Sequence, residues 1–304
     1  MAPIPRLLFI FLDGVGIGDD DPDTNPFTSA SLPTLRGLLG GSLPTTEHPT
    51  VRGPGAVSFP LDATLGVDGT PQSGTGQAAL LTGKNTARIH GRHFGPWTPV
   101  GLRPLVEEES VLRLAQEAGR TACFANAYPR GWPGSRRSRR VAGPPLAAKG
   151  AGLMTRHEDD LGAGRAVSSE IVNDGWRKHL GHHTLPDVTA EEAGGNLSSI
   201  AAEAELTLYA HYATDTAGHR GGMEGSVAAL ERVDRFLGGV LAGMPSDMTL
   251  LVASDHGNIE DVTGGHTLNP AFGLAAGPGS DDFADSRSLL DVAPAILQHL
   301  SIGA

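Results

Sequence analysis

The 304-residue chain has one cysteine, Cys123, so it carries no intramolecular disulfide framework, and that usage fits a reducing compartment. Positive charge is also scarce. Lys and Arg number 23 against 34 Asp and Glu, a formal net charge of −11 with histidines neutral. A surface of that sign argues against nucleic acid and anionic membranes as generic partners. Carboxylates gathered at a metal site would add to this count while being neutralised locally. Long apolar runs are missing as well: Leu7 to Leu12 is too short for a signal-peptide core or a membrane span, and it ends at Asp13. No repeat of fixed period occurs. The expectation is a soluble, cytoplasmic protein, whose 39% hydrophobic and 19% charged residues suffice for a sizeable core.

What the chain does have is glycine, concentrated for example in "GTPQSGTGQAALLTGKN" (69–85). A P-loop needs Gly, four residues, then Gly-Lys-Ser/Thr. Counting back from Gly83-Lys84, that first glycine is Ala78, and Asn85 replaces the Ser/Thr. A Gly-x-Ser-x-Gly elbow fails at Pro71. What remains is Ser73 at the head of an apolar helix.

Apolar runs at 6–12, 206–213 and 248–254 have the length and composition of buried strands, with a weaker one at 271–277 and another in "RTACFANA". Helical patterns at 109–119, 223–244 and 286–300 alternate with them, and Pro294 suits the last only near its start or at a kink. Alternating strands and helices predict an α/β fold, a mostly parallel sheet sandwiched by helices. Residues 126–195 are rich in Pro, Gly and Arg, with poor periodicity. They are either a surface insertion or a small lid, in which Arg136, Arg137, Arg139 and Arg140 could hold an anion. The division is then 1–125 with 196–304 as core and 126–195 as the lid insertion. "HGRHFGPW" within 85–99, with His90, Arg92 and His93, is either a surface loop or a second lid loop close to Ser73.

Each of the three best strands ends in an aspartate, Asp13, Asp215 and Asp255, at the sheet edge where parallel sheets bind ligands. A single such aspartate reads as a helix cap. Here His219 follows Asp215 by four residues, His256 follows Asp255 directly, and His266 lies in the nearby "GGHTLNP". Carboxylate and imidazole together suit Mn, Zn or Co, or Mg with more oxygen ligands, and Mn is the expected ion. Counting Ser73, seven donors are too many for one tetrahedral ion and suit two ions about 4 Å apart.

"FLDGVGIG", "SGTGQ", "HYATDTAGHRGG", "VASDHGN", "GGHTLNP" and "SLLDVAPAIL" follow the order seen in the alkaline phosphatase superfamily. The chain most resembles the branch of cofactor-independent phosphoglycerate mutase and phosphopentomutase, over about its first 85 and last 100 residues. The resemblance implies that Asp13, Ser73, Asp255 and His256 surround one metal and that Asp215, His219 and His266 hold the other. It also implies that Ser73, three residues ahead of Gly76, is the phosphorylated nucleophile, with Thr75 as the competing choice. The family's histidine after that glycine is replaced by Gln77. The implied activity is phosphoryl transfer on a small phosphorylated metabolite, as phosphatase or mutase. A phosphodiesterase-type hydrolase and a non-catalytic metal-binding module are the alternatives; a sulfatase is disfavoured because no C/S-x-P-S-R motif surrounds Ser73. Substrate contacts are expected from His90, Arg92, His93, Arg136 and Arg137.

Overall fold

A computed structural model describes residues 5–134 and 140–303. Numbered along the chain, the strands are β1 (Arg6–Leu12), β2 (Arg52–Gly53), β3 (Ala56–Leu61), β4 (Ala122–Phe124), β5 (Leu206–His211), β6 (Met248–Ser254) and β7 (Ala271–Ala276). They form one sheet in the order β2-β3-β7-β6-β1-β5-β4. The contiguous strands β4, β5, β1 and β6 are parallel, whereas β7, β3 and β2 each run antiparallel to the neighbour before.

The run "RLLFIFL" lacks polar alternation because both faces of β1 are covered. Leu7, Phe9 and Phe11 join one hydrophobic cluster and Leu8, Ile10 and Leu12 the other. Burying each such side chain contributes about 1.5–3 kcal/mol.

On the first face lie α3 (Ser73–Thr82), α4 (Thr86–His90), α5 (Arg103–Glu109), α6 (Val111–Glu117), α7 (Gly143–Gly150) and α13 (Leu289–His299). The other carries α1 (Pro26–Ser29), α2 (Pro33–Leu38), α10 (Ala190–Ala201), α11 (Ala213–Arg220) and α12 (Gly222–Gly243). The stripe Leu230, Val233, Leu237 and Val240 of α12 faces the sheet, as its 3.6-residue spacing dictates. Pro294 stands inside α13. The α/β architecture expected from the sequence is therefore observed.

Within 126–195, α7 packs into the first-face core through Leu146, Ala147 and Ala148. The short helices α8 (Glu158–Gly162) and α9 (Asp174–His179) instead share a small cluster of Ala127, Leu161, Ala166, Trp176 and Leu185. No helix among the described residues is long and apolar enough to cross a membrane.

Candidate metal centre

Parallel pairing sets the site. The register aligns Leu12 with Ser254 on one side and His211 on the other, so the next residues of β1 and β6, Asp13 and Asp255, emerge side by side. Cross-links hold the edge. Gly14 N donates to Asp255 Oδ1 (3.2 Å), Val15 N to Ser254 Oγ (2.8 Å) and Thr214 Oγ1 to the Asp13 carbonyl (2.6 Å). Gly14 has φ +67°, and a Cβ there would lie 2.7 Å from Asp215 Oδ1, so the turn after β1 requires glycine.

Asp215 is not at a strand end as its sequence position suggested. β5 stops at His211, and Asp215 occupies the first turn of α11. The helix sets His219 one turn further on, with Nε2 3.5 Å from Asp215 Oδ1. His266 arrives from the loop before β7 and places Nε2 3.3 Å from the same oxygen and 3.0 Å from His219 Nε2. His256 Nε2 lies 3.3 Å from Asp13 Oδ1 and 3.7 Å from Asp255 Oδ2. Ser73, the first residue of α3, puts Oγ 2.9 Å from His256 Nε2. All seven residues expected as ligands thus converge on one region. Thr75 faces away, donating to the Gln72 carbonyl and accepting from Phe94 N, both at 3.2 Å.

The donor set fits divalent cations. His266 Nδ1 sits 2.9 Å from the Pro71 carbonyl and His256 Nδ1 3.2 Å from that of Gly257. A carbonyl only accepts, so each Nδ1 carries a hydrogen and each Nε2 turns to the cluster, with a lone pair for a cation when the ring is neutral. Asp13 Oδ1 and Asp255 Oδ2 are buried without a hydrogen-bond partner, an arrangement that is costly unless a cation answers them. Asp13, Asp255 and His256 offer one group of closely spaced ligand atoms, and Asp215, His256 and His266 another. His256 therefore reaches both groups, and its ring stacks on that of His266 at 3.9 Å.

The buried carboxylates attract a proton to His256 Nε2 as well as a cation, and the two compete for the same position. Burial pushes the Asp13 carboxyl up, partly offset by His256, and burial together with Asp13 pushes Asp255 well above the usual carboxylate range. Burial opposes charge on His256, but the Asp255 and Asp13 carboxylates outweigh it and hold the imidazole at about 10. At Asp215 burial is likewise outweighed, by His266, His256 and the Asn258 amide, which bring it to about 2.

Three buried residues brace this cluster; sequence reasoning missed Asn258 and Glu260, and singled out Gln77 only as a departure from the family pattern. Asn258 Nδ2 donates to Asp215 Oδ1 (2.6 Å) and to its carbonyl (3.1 Å). Glu260 accepts from Gly16 N and Asn258 N, both at 2.8 Å, and from the Thr267 hydroxyl and Asn269 amide, tying the His266 loop to the strand ends. Gln77 bonds Asp13 and the start of α7. The signal available for the first two was the polar run "DHGNIED" after a buried strand, interrupted only by Gly257 and Ile259.

Beside the cluster opens a cavity of about 1170 Å³, lined by Ser73, Asp215 and His266 together with Trp97, Tyr128, Trp132, Tyr212, Arg140 and Arg220. The expected substrate residues His90, Arg92 and His93 do not line it. His93 Nε2 binds the Thr64 and Val67 carbonyls at 3.1 and 3.2 Å, His90 packs edge-on to Phe94, and the Arg92 guanidinium lies 5.9 Å from the same ring. Their loop supplies Gly95, Pro96 and Trp97 instead. Arg136, Arg137 and Arg139 fall outside the described residues.

Residues 186–304 match the family model described as Metalloenzyme superfamily. The 2,3-bisphosphoglycerate-independent phosphoglycerate mutase of Agrobacterium fabrum is 32% identical over 127 residues, 38% of this chain and 25% of that protein. The protein of the same name from Halobacterium salinarum is 32% identical over 117 residues, 35% and 23% of the two chains. The matched stretch thus spans about a quarter of the length of these curated relatives. Among solved structures, PH0037 protein from Pyrococcus horikoshii superposes with a TM-score of 0.59 at 12% identity, over 98% of this chain and 97% of the other. The alkaline phosphatase of the Antarctic bacterium TAB5 gives 0.53 at 12%, over 99% of both. At such identity the structural likeness carries the fold alone. Over residues 186–304 the chain is thus similar to the Metalloenzyme superfamily, over part of its length it resembles 2,3-bisphosphoglycerate-independent phosphoglycerate mutases, and over its whole length it shares the fold of an alkaline phosphatase.

Proposed function

We propose that this protein is a two-cation phosphoryl-transfer enzyme of the cytoplasm, acting on small phosphate monoesters through a phosphoserine at Ser73. The observation that carries the reading is the position of Ser73 Oγ, 2.9 Å from His256 Nε2 at the edge of a cluster holding two buried carboxylate oxygens that accept no hydrogen bond. Asp13, Asp255 and His256 would hold one ion, Asp215, His219 and His266 the other, with His256 within reach of both; Mn²⁺ is the ion expected first. Bound ions would neutralise phosphate charge and lower the pKa of the serine hydroxyl.

The chain's own residues do the positioning. Ser73 sits at the N-terminus of α3, where the helix dipole favours an incoming phosphate dianion. Asn258 fixes the Asp215 carboxylate, and the Pro71 carbonyl fixes the His266 ring. Oγ attacks phosphorus in line, the ester oxygen leaves with a proton, and the phosphoryl group rests on Ser73. Water then releases it in a phosphatase, or a hydroxyl of the same substrate takes it back in a mutase. The wall of Trp97, Tyr128, Trp132 and Tyr212 supports the second outcome to the extent that it excludes water.

Ser73→Ala should lower turnover of phosphate monoesters at least about a thousandfold while metal content stays at the parent level. A panel of sugar and glycerate phosphates, scored for isomerised product against free phosphate, then separates mutase from phosphatase. Parent-rate turnover by purified Ser73→Ala protein would remove the serine from the reaction.

A further inference from the structure

Gln77 is 1% exposed and stands between the cluster and α7. Its Nε2 donates to Asp13 Oδ2 at 3.0 Å, and its Oε1 accepts from Gly143 N at 2.9 Å. The amide makes this bridge because it carries a donor and an acceptor on one fork, one for the carboxylate and one for the amide N–H. A carboxylate in its place has no hydrogen for Asp13, and an apolar side chain leaves both groups unanswered.

Two consequences follow from this bridge. First, Oδ2 of Asp13 is occupied, so Oδ1, which has no hydrogen bond, is the oxygen presented beside His256. Second, Gly143 opens α7, and the neighbouring Ala142 and Pro145 line the cavity. Thr98 N donates to the Val141 carbonyl at 3.1 Å, which ties the same segment to the stretch carrying Trp97. One amide therefore connects a candidate metal ligand to the cavity wall.

We propose that Gln77 is a positioning residue: it presents Asp13 to a divalent cation through a single oxygen and couples cation binding to the seating of residues 141–150. This rests on the two-cation reading of the site. Coupling of this kind is reciprocal, so a cation that orders Asp13 also firms the wall, and a seated wall tightens cation binding. Outer partners of metal ligands typically change affinity 10–100-fold when removed.

The test uses the full chain, stripped with chelator and titrated with Mn²⁺ in a calorimeter. Gln77→Met, close in shape but without either bond, should weaken binding about 10–100-fold. Gln77→Asn, an amide one methylene too short to span the gap, should behave alike. In an Asp13→Ala background, Gln77→Met should cause no further loss, because Gln77 then has nothing to position. Amide exchange across 143–150 should slow on Mn²⁺ addition in the parent and not in Gln77→Met. Thermal melts in chelator identify the variants that fold. A folded Gln77→Met that binds Mn²⁺ at parent affinity overturns the inference, as does an equal loss in the Asp13→Ala background, which marks general damage. A parent chain that binds no divalent ion defeats the two-cation reading itself.

Discussion

His211 closes β5 with its ring 1% exposed and Nδ1 2.8 Å from the Ser169 carbonyl. Burial outweighs that bond and brings its pKa down to about 4. The unfolded chain therefore takes up a proton near pH 6.5 that the folded chain refuses. Stability from this group is complete above pH 6.5 and is lost as pH falls through about 4, on the order of 3 kcal/mol in total. Urea titrations of His211→Gln and parent across pH 7 to 4 should show the parent losing more stability by about that amount; parallel curves would contradict the burial argument. Residues of this kind set the limit of what sequence reveals. Asp13, Asp255, His256 and His266 were legible because donor-type residues beside strand ends are chemically unusual. Glu260 and the role of Gln77 were not, since their partners Gly16 and Gly143 lie 244 and 66 positions away.

At the scale of elements, α10 and α12 pack almost backbone to backbone behind the sheet. A Cβ added at Gly194 would lie 2.2 Å from the Phe236 carbonyl oxygen, and one at Gly239 2.1 Å from that of Glu191. Gly239→Ala must push the helices apart, at a cost of about 3 kcal/mol, the upper part of the range for overpacking. Chemical denaturation should show that loss while folded protein keeps parent kinetics, because the pair lies on the sheet face opposite α3. An unchanged midpoint would mean that the helices slide apart freely. The long strands were legible for the reason their burial explains: runs covered on both sides are mostly apolar, with Thr207, His211, Thr249 and Ser254 the few buried polar residues of β5 and β6. β3 was missed because Pro60 argues against a strand. Ser58 N bonds outward to the Val51 carbonyl, and N–H directions alternate, so the N–H that Pro60 lacks would point past the end of β2, where no ladder exists. α7 was hidden likewise, since "GPPLAAKG" reads as a loop, yet prolines in a first helical turn cost no hydrogen bond.

For the whole molecule, the sheet edge concentrates carboxylates whose mutual repulsion and burial work against the cation-free fold. Ligand linkage then makes stability depend on metal. Mn²⁺ at about 100 times its Kd should add roughly 2.7 kcal/mol per site and raise the melting temperature by several degrees, with chelator reversing the change. Scanning fluorimetry with Mn²⁺, Zn²⁺ and Mg²⁺ measures this directly, and identical melting with every ion would contradict a metal-loaded native state. The placement of β1 also bears on how the chain is made. Its register pairs Leu7 with Leu206 on one side and Thr249 on the other. β1 therefore leaves the ribosome before either of its neighbours in the sheet, which begin only at Leu206 and Met248. At 5–20 residues per second, "RLLFIFL" waits roughly ten to forty seconds with its apolar side chains uncovered. Through that interval the nascent chain depends on chaperones, or on transient cover from its own early helices, to keep this segment from aggregating.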